Sequence, residues 1–491
     1  MLRKLTIFII LGLTVHLNAQ ETVNLESLKK QLQEMQRVQD AQKAQIDQLT
    51  QQLQKLSASP STSTPAPAKT AEQVKLEKEL TVELAAASPE PETKSITSDS
   101  LKAKAWSPSD PIPVMRSGSA YMNISFDALI DTGWSTAPQP DMQLQLGDHD
   151  PQKRGFSLRN AEIALDGAVD PYFKGFANIV LKLDNDNQTT IELEEAYVQS
   201  TTLPLGLQLK AGQFFAAFGR QNAQHPHQWA FVDSPIISTR AFGPDGLRNV
   251  GTQLSWLAPL PFFTELTLGI LDGQGGTTHS FRNRGDADVL GVQRFAGRTT
   301  FDRHLEGIQD LIFVPRISSS FDISDRQTIV VGVSGAFGSN DTGPHSRTEV
   351  YGADLYYKWK PENAMEGFPF VSWQTEGMYR RFGAGEDVTA GLGAENIRDY
   401  GVYSQILYGF KPRWVSGLRA EYASGNKASF DPNDPFRGER YRVSPVLTFF
   451  PSEFSKLRLQ YNYDHGQYFE DAHSIWLQLE FLLGAHGAHK F

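Results

Sequence analysis

Beyond residue 114, hydrophobic and polar residues alternate in segments of about ten to fourteen residues that carry aromatic side chains near their ends. A period of two places successive side chains on opposite faces, which is typical of a β-strand with one apolar and one polar face. The pattern predicts sixteen strands. They are expected at 119–130, 155–169, 173–183, 190–201, 205–213, 249–258, 262–271, 308–321, 326–337, 347–359, 368–381, 397–410, 414–424, 439–450, 454–464 and 473–483.

The connections between these segments alternate in length. Those after even-numbered segments are mostly short, such as 170–172 and 411–413, whereas those after odd-numbered segments are mostly long, such as 131–154 and 214–248. A transmembrane barrel with both chain ends on one side has short turns there and long loops on the other, and its strand number is even. We therefore predict an all-β transmembrane barrel of 16 antiparallel strands over residues 114–491, embedded in outer-membrane lipid. A soluble secreted β protein is the alternative.

Three of the segments indicate which face meets lipid, because their apolar and polar residues separate cleanly. The expected lipid-facing residues are Leu457, Leu459, Tyr461 and Tyr463 in one segment, Tyr351, Ala353, Leu355, Tyr357 and Trp359 in another, and Ile475, Leu477, Leu479, Phe481 and Leu483 in the last. The residues expected to face a wet lumen are Lys456, Arg458, Gln460 and Asn462, then Asp354, Tyr356 and Lys358, and finally Gln478 and Glu480.

The amino-terminal part has a different organisation. Residues 1–19 predict a secretory signal peptide, because Arg3 and Lys4 precede an apolar run over 5–15. That run of about eleven residues is shorter than the roughly twenty that a membrane-spanning helix needs.

A heptad repeat with mostly apolar a and d positions begins at Leu25 and ends at Leu56. It predicts a periplasmic α-helical coiled coil over 21–56, and hence an oligomer, with a solitary charged helix as the alternative. Residues 57–113 are rich in Pro, Ser and Thr and are expected to form a partly disordered linker.

Composition excludes several classes of function. The chain carries 46 Lys and Arg against 56 Asp and Glu, a net charge of -10, so we expect no nucleic-acid partner. It has no Cys, which rules out disulfides and thiolate metal sites. The motifs G-x-S-x-G, H-E-x-x-H and the P-loop do not occur, so we expect no catalytic residues, no enzyme and no cofactor.

Four short motifs lie in and after the first predicted strands: FSLRNAEI at 156–163, EEAYV at 194–198, LKAGQF at 209–214 and FG at 218–219. Together they resemble the phosphate-selective porin O and P family. The resemblance implies a homotrimeric, sixteen-stranded channel in the bacterial outer membrane that passes small hydrophilic solutes, with anions such as phosphate as a possible preference. The net negative charge supplies no average field that draws anions, so such a preference would require a local arrangement of charges.

The connection 214–248 follows the fifth predicted strand, and in the sixteen-stranded porins that the sequence resembles this loop typically folds inward to narrow the lumen. Guanidinium groups there would bind anions through charge-assisted hydrogen bonds. The alternative is that the arginines pair with barrel carboxylates. The candidate constriction residues are Arg220, His225, His227, Asp233, Arg240, Asp245 and Arg248, and the candidate pore-wall residues are Arg159, Arg419, Arg440 and Arg442.

Two histidine pairs are weak metal candidates, His225 with His227 and His486 with His489. Each pair offers two imidazoles to zinc or another borderline metal, but two ligands do not make a site. Hydrogen-bonded or solvated histidines are the alternative. The predicted function is a passive diffusion porin, and the alternatives are a surface receptor or adhesin, or a metal-linked uptake protein, anchored by the barrel.

Overall fold

The computed structural model describes residues 110–287, 291–365 and 367–484. The predicted signal peptide, the coiled coil and most of the linker lie outside the described residues, as do His486 and His489. The strands are β1 Ile112–Ser117, β2 Ala120–Ser135, β3 Gly155–Ala168, β4 Phe173–Leu183, β5 Thr189–Ser200, β6 Leu207–Phe215, β7 Arg248–Leu257, β8 Phe263–Leu271, β9 Asp286–Ala287, β10 Gln293–Phe295, β11 Arg298–Thr299, β12 Ile312–Ser324, β13 Gln327–Ser339, β14 Arg347–Trp359, β15 Phe370–Ala384, β16 Glu395–Lys411, β17 Trp414–Gly425, β18 Arg440–Ser452, β19 Ser455–Gly466 and β20 Phe469–Leu483.

Sixteen of these strands form one closed antiparallel barrel. It runs in chain order from β2 to β8, passes directly to β12 and continues to β20, which pairs again with β2. The prediction of sixteen antiparallel strands is confirmed, and each observed strand overlaps its predicted segment. Four short strands were not expected from the sequence. Of these, β1 pairs with the first residues of β2, and β9 to β11 form a small separate sheet.

The predicted faces of the strands are also observed. On β19, Leu457 and Leu459 lie on the outer surface. Arg458 and Gln460, which alternate with them along the strand, point inward and are buried. The strands β14 and β20 have the same alternation. A barrel with apolar side chains outside and polar side chains inside is the reverse of a soluble protein, and it suits a surrounding of lipid.

The long connections cluster at one end of the barrel and carry the described helical segments except the 3₁₀ turn at Pro204–Gly206, which lies in the short connection between β5 and β6. The α-helix α1 spans Pro140–Gln143 and α2 spans Ile236–Phe242, and 3₁₀ turns occur at Pro204–Gly206, Pro226–Gln228 and Ile308–Asp310. Within the described ranges, no helix has both the length and the apolar character needed to cross a bilayer.

An apolar core lies inside the barrel around α2. The helix presents Ile237 and Ala241, four residues apart and therefore on one face, to strands β15 to β17. Phe218 and Phe242 pack edge to face, with ring centroids 4.8 Å apart. The core therefore attaches part of a loop to the inner face of the barrel by hydrophobic burial, which strand alternation did not predict. Its buried members are Phe214, Ala216, Phe218, Ile237, Ala241, Phe242, Leu247, Leu271, Phe281, Ile312, Val314, Ala336, Val350, Met378 and Tyr403.

Candidate pore constriction

Residues 216–247, between β6 and β7, lie inside the barrel and are called the inward loop below. The Gln221 N–H donates to Oε1 of Glu376 on β15 at 2.8 Å. The Ile236 N–H donates to Oε2 of Glu421 on β17 at 2.7 Å. Because inward-facing barrel carboxylates accept hydrogen bonds from its main chain, the loop is held across the lumen.

The inward loop meets a basic wall, which consists of Arg419, Arg440 and Arg442 on β17 and β18. Asp233 of the loop pairs with Arg419 and, at 3.3 Å, with Arg442. Its carboxylate also accepts hydrogen bonds from the amides of Gln460 at 2.8 Å and Asn462 at 2.7 Å. Burial alone would raise the pKa of Asp233, but the two guanidinium groups hold it below its ordinary value. Asp233 is thus a fixed anion among cations.

Each arginine of the basic wall also has a carboxylate partner on the barrel itself. Arg440 and Arg442 both bind Oδ1 of Asp464 on β19, at 2.5 and 2.9 Å. Arg419 contacts Glu421 at 2.7 Å. The positive charges of this wall are therefore neutralised within the structure.

The inward loop meets an acidic wall beside it, which consists of Asp127 on β2, Glu162 on β3, and Glu194 and Glu195 on β5. His225 contacts Glu194 through Nδ1 at 2.7 Å and Glu195 through Nε2 at 2.9 Å. His227 contacts Glu162 through Nδ1 at 3.3 Å. Although burial alone would lower the pKa of His225, the Glu194 carboxylate and the other acidic groups raise it well above its ordinary value. The histidines of the loop thus face carboxylates, as its aspartate faces guanidinium groups.

Two β-bulges supply the polar residues of this region. In β5 the register skips Glu194, because Leu193 pairs with Ile179 and Glu195 pairs with Asn178. Both Glu194 and Glu195 are therefore buried inside the barrel, where strict alternation would place one of them against lipid. The bulge of β3 does the same for two polar neighbours, Arg159 and Asn160.

The acidic wall was missed as a site at the sequence level, yet the sequence contains a signal for it. Glu194 and Glu195 are adjacent acidic residues inside a predicted membrane strand. Since a carboxylate on the lipid face is destabilising, the pair requires a bulge that turns both groups toward the lumen.

Two further predicted arginines pair with carboxylates near the outer end of β3 to β7. Arg248, the first residue of β7, pairs with Glu192. Arg159 contacts Asp148 at 2.9 Å. These two arginines and the three of the basic wall therefore pair with carboxylates. Such pairing was the alternative to arginines that line an anion path.

The remaining candidates differ from one another. Arg240, on α2, is buried and donates to the carbonyl oxygen of Gly438 at 3.3 Å. Asp245 is largely buried, and burial together with the charge of Asp148 raises its pKa to about 6. The guanidinium of Arg220 lies over the Tyr356 ring, 4.2 Å from its centre. Within the described ranges no carboxylate forms a salt bridge with Arg220, and the residue is partly exposed.

Among the residues that the structure describes, three groups of side chains bring oxygen or nitrogen ligand atoms within 4.8 Å of one another and could hold a metal ion. They are Asp148, His149, Glu192 and Asp245; Asp127, Glu162 and His227; and Glu162, Glu194 and His225. His225 and His227, which were predicted as one pair, thus fall into two groups that share Glu162.

No family model matches the chain. An uncharacterized protein of Aquifex aeolicus is 30% identical over 357 residues, which cover 69% of this chain and 71% of that protein. Among solved structures, the outer membrane channel DcaP of Acinetobacter baumannii aligns with a TM-score of 0.50 and 12% identity, over 76% of this chain and 100% of that one. The anion-selective porin of Comamonas acidovorans aligns with a TM-score of 0.45 and 9% identity, over 74% and 100%. The likeness to DcaP establishes a common barrel fold.

Proposed function

The chain belongs to the same family as the uncharacterized Aquifex aeolicus protein, and we propose that it is a bacterial outer-membrane porin through which small hydrophilic solutes diffuse. The observation that carries the proposal is the closed barrel of sixteen strands with an apolar outer face and a charged lumen crossed by the inward loop. A barrel of this size encloses an aqueous lumen unless its interior is filled, and its narrowest section sets what passes. No cofactor is required for this function.

A preference for anions is the finer part of the proposal. Arg220 supports it, because this arginine of the inward loop stacks on Tyr356 and leaves its guanidinium available. The arginines of the basic wall contribute less, since their charges are balanced by Asp233, Glu421 and Asp464. We therefore expect at most a mild anion selectivity. The resemblance to the phosphate-selective porin O and P family would, taken alone, suggest a dedicated phosphate site.

The proposal also includes a homotrimer with a periplasmic coiled coil over 21–56. Its support is the heptad repeat from Leu25 to Leu56, whose apolar a and d residues need partner helices to become buried.

Single-channel recording in planar bilayers tests the channel function. Refolded protein, verified as a folded barrel by circular dichroism, is added to one side of a bilayer in potassium chloride. Discrete conductance steps are expected. A folded, inserted barrel that produces no steps contradicts the proposal.

A surface receptor is the second candidate, and one observation favours it. Two connections at the mouth of the barrel pack on the ends of β15 and β16 through an apolar cluster, in which Phe295 and Phe430 of the connections lie against Phe382 and Ile397 of the strands. A structured outer surface of this kind could bind a ligand. The same bilayer recording separates the two candidates, because a receptor barrel would insert without conducting.

A further inference from the structure

Four polar side chains from four different segments converge on one buried point of the lumen. Glu162 lies on β3, Asn178 on β4, Glu194 on β5 and His225 on the inward loop. The two glutamates and the asparagine are 0% exposed and the histidine is 2% exposed. Three neighbouring strands thus form a cradle, and the loop closes it.

Four atoms surround this point and form what is called the cage below, and five of their six separations lie between 2.7 and 3.9 Å. The Asn178 amide nitrogen lies 2.9 Å from Glu162 Oε2, 2.8 Å from Glu194 Oε2 and 3.2 Å from His225 Nδ1. His225 Nδ1 lies 2.7 Å from Glu194 Oε2 and 3.9 Å from Glu162 Oε2. A metal with four ligands at roughly 2.0–2.1 Å holds them about 3.3 Å apart, so these separations bracket the spacing that such an ion needs.

The amide of Asn178 can supply a fourth ligand to the cage. Its nitrogen points into the cage, whereas its oxygen is buried and has no hydrogen-bond partner. A buried carbonyl oxygen without a partner is costly. Rotation of the amide by half a turn exchanges the two atoms, and the oxygen then faces the cage as a fourth ligand.

The groups around the cage are arranged as the outer shell of a metal site. Glu195 accepts from Nε2 of His225 at 2.9 Å, which leaves Nδ1 to face the cage. Asn160 donates to Glu162 Oε1 at 2.7 Å and so orients Oε2 inward. A carboxylate behind a histidine ligand and a hydrogen bond on the distal oxygen of a carboxylate ligand both recur around protein-bound zinc.

The two carboxylates of the cage, Glu162 and Glu194, are negative ligands that suit a cation. They face the imidazoles of His227 and His225, whereas the other two carboxylates of the acidic wall, Asp127 and Glu195, also have lysines near them, Lys456 and Lys210. Glu194 Oε1 has no hydrogen-bond partner among the described residues, and Nε2 of His149 lies 3.5 Å from it. Carboxylates of this kind, removed from water, require a counter-charge.

We propose that Glu162, Asn178, Glu194 and His225 bind one divalent transition-metal ion of the zinc class, which fixes the inward loop to strands β3 to β5. One nitrogen and three oxygen ligands in four-coordinate geometry suit Zn²⁺, and Co²⁺ occupies such sites as a spectroscopic substitute. The site consists only of this chain's residues, and its occupancy does not depend on whether the barrel conducts.

The test is a titration of the full-length, untagged barrel with Co²⁺ and Zn²⁺ after treatment with a chelator. The titration is made in an H486Q/H489Q background, so that the carboxyl-terminal imidazoles contribute nothing. One equivalent of Co²⁺ is expected to give the intense visible bands of a tetrahedral site, and one equivalent of Zn²⁺ should remove them.

Variants assign the site. His225→Gln should weaken binding at least 100-fold, whereas His465→Gln should not change it, because His465 forms an exposed pair with Asp471 at 2.6 Å. His149→Gln tests the neighbouring metal-like group. Loss of the bands in H149Q but not in H225Q would place the metal elsewhere and overturn the proposal, as would the absence of one-equivalent binding.

A second variant keeps the test decisive if H225Q fails to fold. Asn178→Asp replaces the amide by a carboxylate, which should bind the metal at least tenfold more tightly if this side chain is a ligand. If Asn178 only donates hydrogen bonds to its neighbours, the added negative charge leaves the tetrahedral bands absent or unchanged, and the proposal fails.

Discussion

At the scale of single residues, the inward loop and the lumen are complementary in charge. Asp233 faces the arginines of the basic wall on β17 and β18, and His225 faces the acidic wall on β2, β3 and β5. Removing one member of a buried pair leaves the partner charge uncompensated, which commonly costs about 3–5 kcal/mol. The inward loop is therefore anchored to the barrel by ion pairs with inward-facing residues of the strands.

Asp233→Asn should lower the free energy of unfolding by about 3 kcal/mol at neutral pH, measured by urea titration of the refolded protein in micelles. Because the folded-state pKa of Asp233 is below its ordinary value, wild type gains this stability above the unfolded pKa and loses it as the pH falls through the folded pKa. The deficit of the variant should thus be constant from about pH 5 to 8 and shrink in stronger acid. Asp325→Asn, in an exposed turn, is the control and should show no deficit. A deficit that grows on acidification would contradict the assignment.

Arg220→Ala should reduce the ratio of anion to cation permeability, measured from the reversal potential in a potassium chloride gradient across a planar bilayer. The reason is that two candidate arginines form no salt bridge with a carboxylate in the described part of the chain, and of these Arg240 is buried whereas Arg220 is partly exposed. Arg220→Lys keeps the charge and should retain most of the selectivity. An unchanged reversal potential in R220A would remove this residue from the filter.

At the scale of elements, sequence alternation predicted the strands because each has one face in lipid and one in the lumen, and that environment imposes a period of two. It could not predict α2, whose apolar residues pack inside the barrel, nor the bulges at Arg159 and Glu194, which break the period. Of the candidate constriction residues, all but Arg248 lie in the inward loop and Arg248 begins β7, and their role in solute passage stays a prediction. Their partners were not predictable, because they come from strands distant in sequence.

Ile237→Ala should loosen the inward loop, since this side chain of α2 is 2% exposed and lies in the apolar core. Truncation of a buried isoleucine costs about 2–5 kcal/mol. We expect a loss of about 3 kcal/mol in urea unfolding and larger current fluctuations in bilayer recordings. Ile323→Ala on the outer face of β12, where the side chain is 59% exposed, should change neither. Equal effects of the two substitutions would argue against a packed loop.

At the scale of the whole molecule, membrane insertion and oligomerisation are expected from two different parts of the chain. Membrane insertion is expected because the described strands close into a barrel that leaves no free strand edge in lipid. An oligomer is expected from the heptad repeat, which lies outside the described residues. Assembly and membrane insertion can therefore be separated by experiment.

Deletion of residues 25–56 should leave a folded barrel but weaken the trimer. Sedimentation velocity in density-matched detergent is expected to give a trimer for the full chain and a larger monomer fraction for the deletion at equal concentration. The physical reason is the loss of the apolar a and d residues. A trimer of equal heat resistance in both proteins would show that the coiled coil does not hold it together.

The central claim is that the strands form a membrane barrel with lipid outside and water inside. The chain has no native Cys, so single spin labels at the adjacent β12 positions 317 and 318 report on its two faces without interference. In liposomes, Ile317→Cys should give a label that collides with oxygen and is protected from an aqueous nickel complex, and Ser318→Cys should give the opposite. Equal exposure of both labels to the nickel complex would contradict the account.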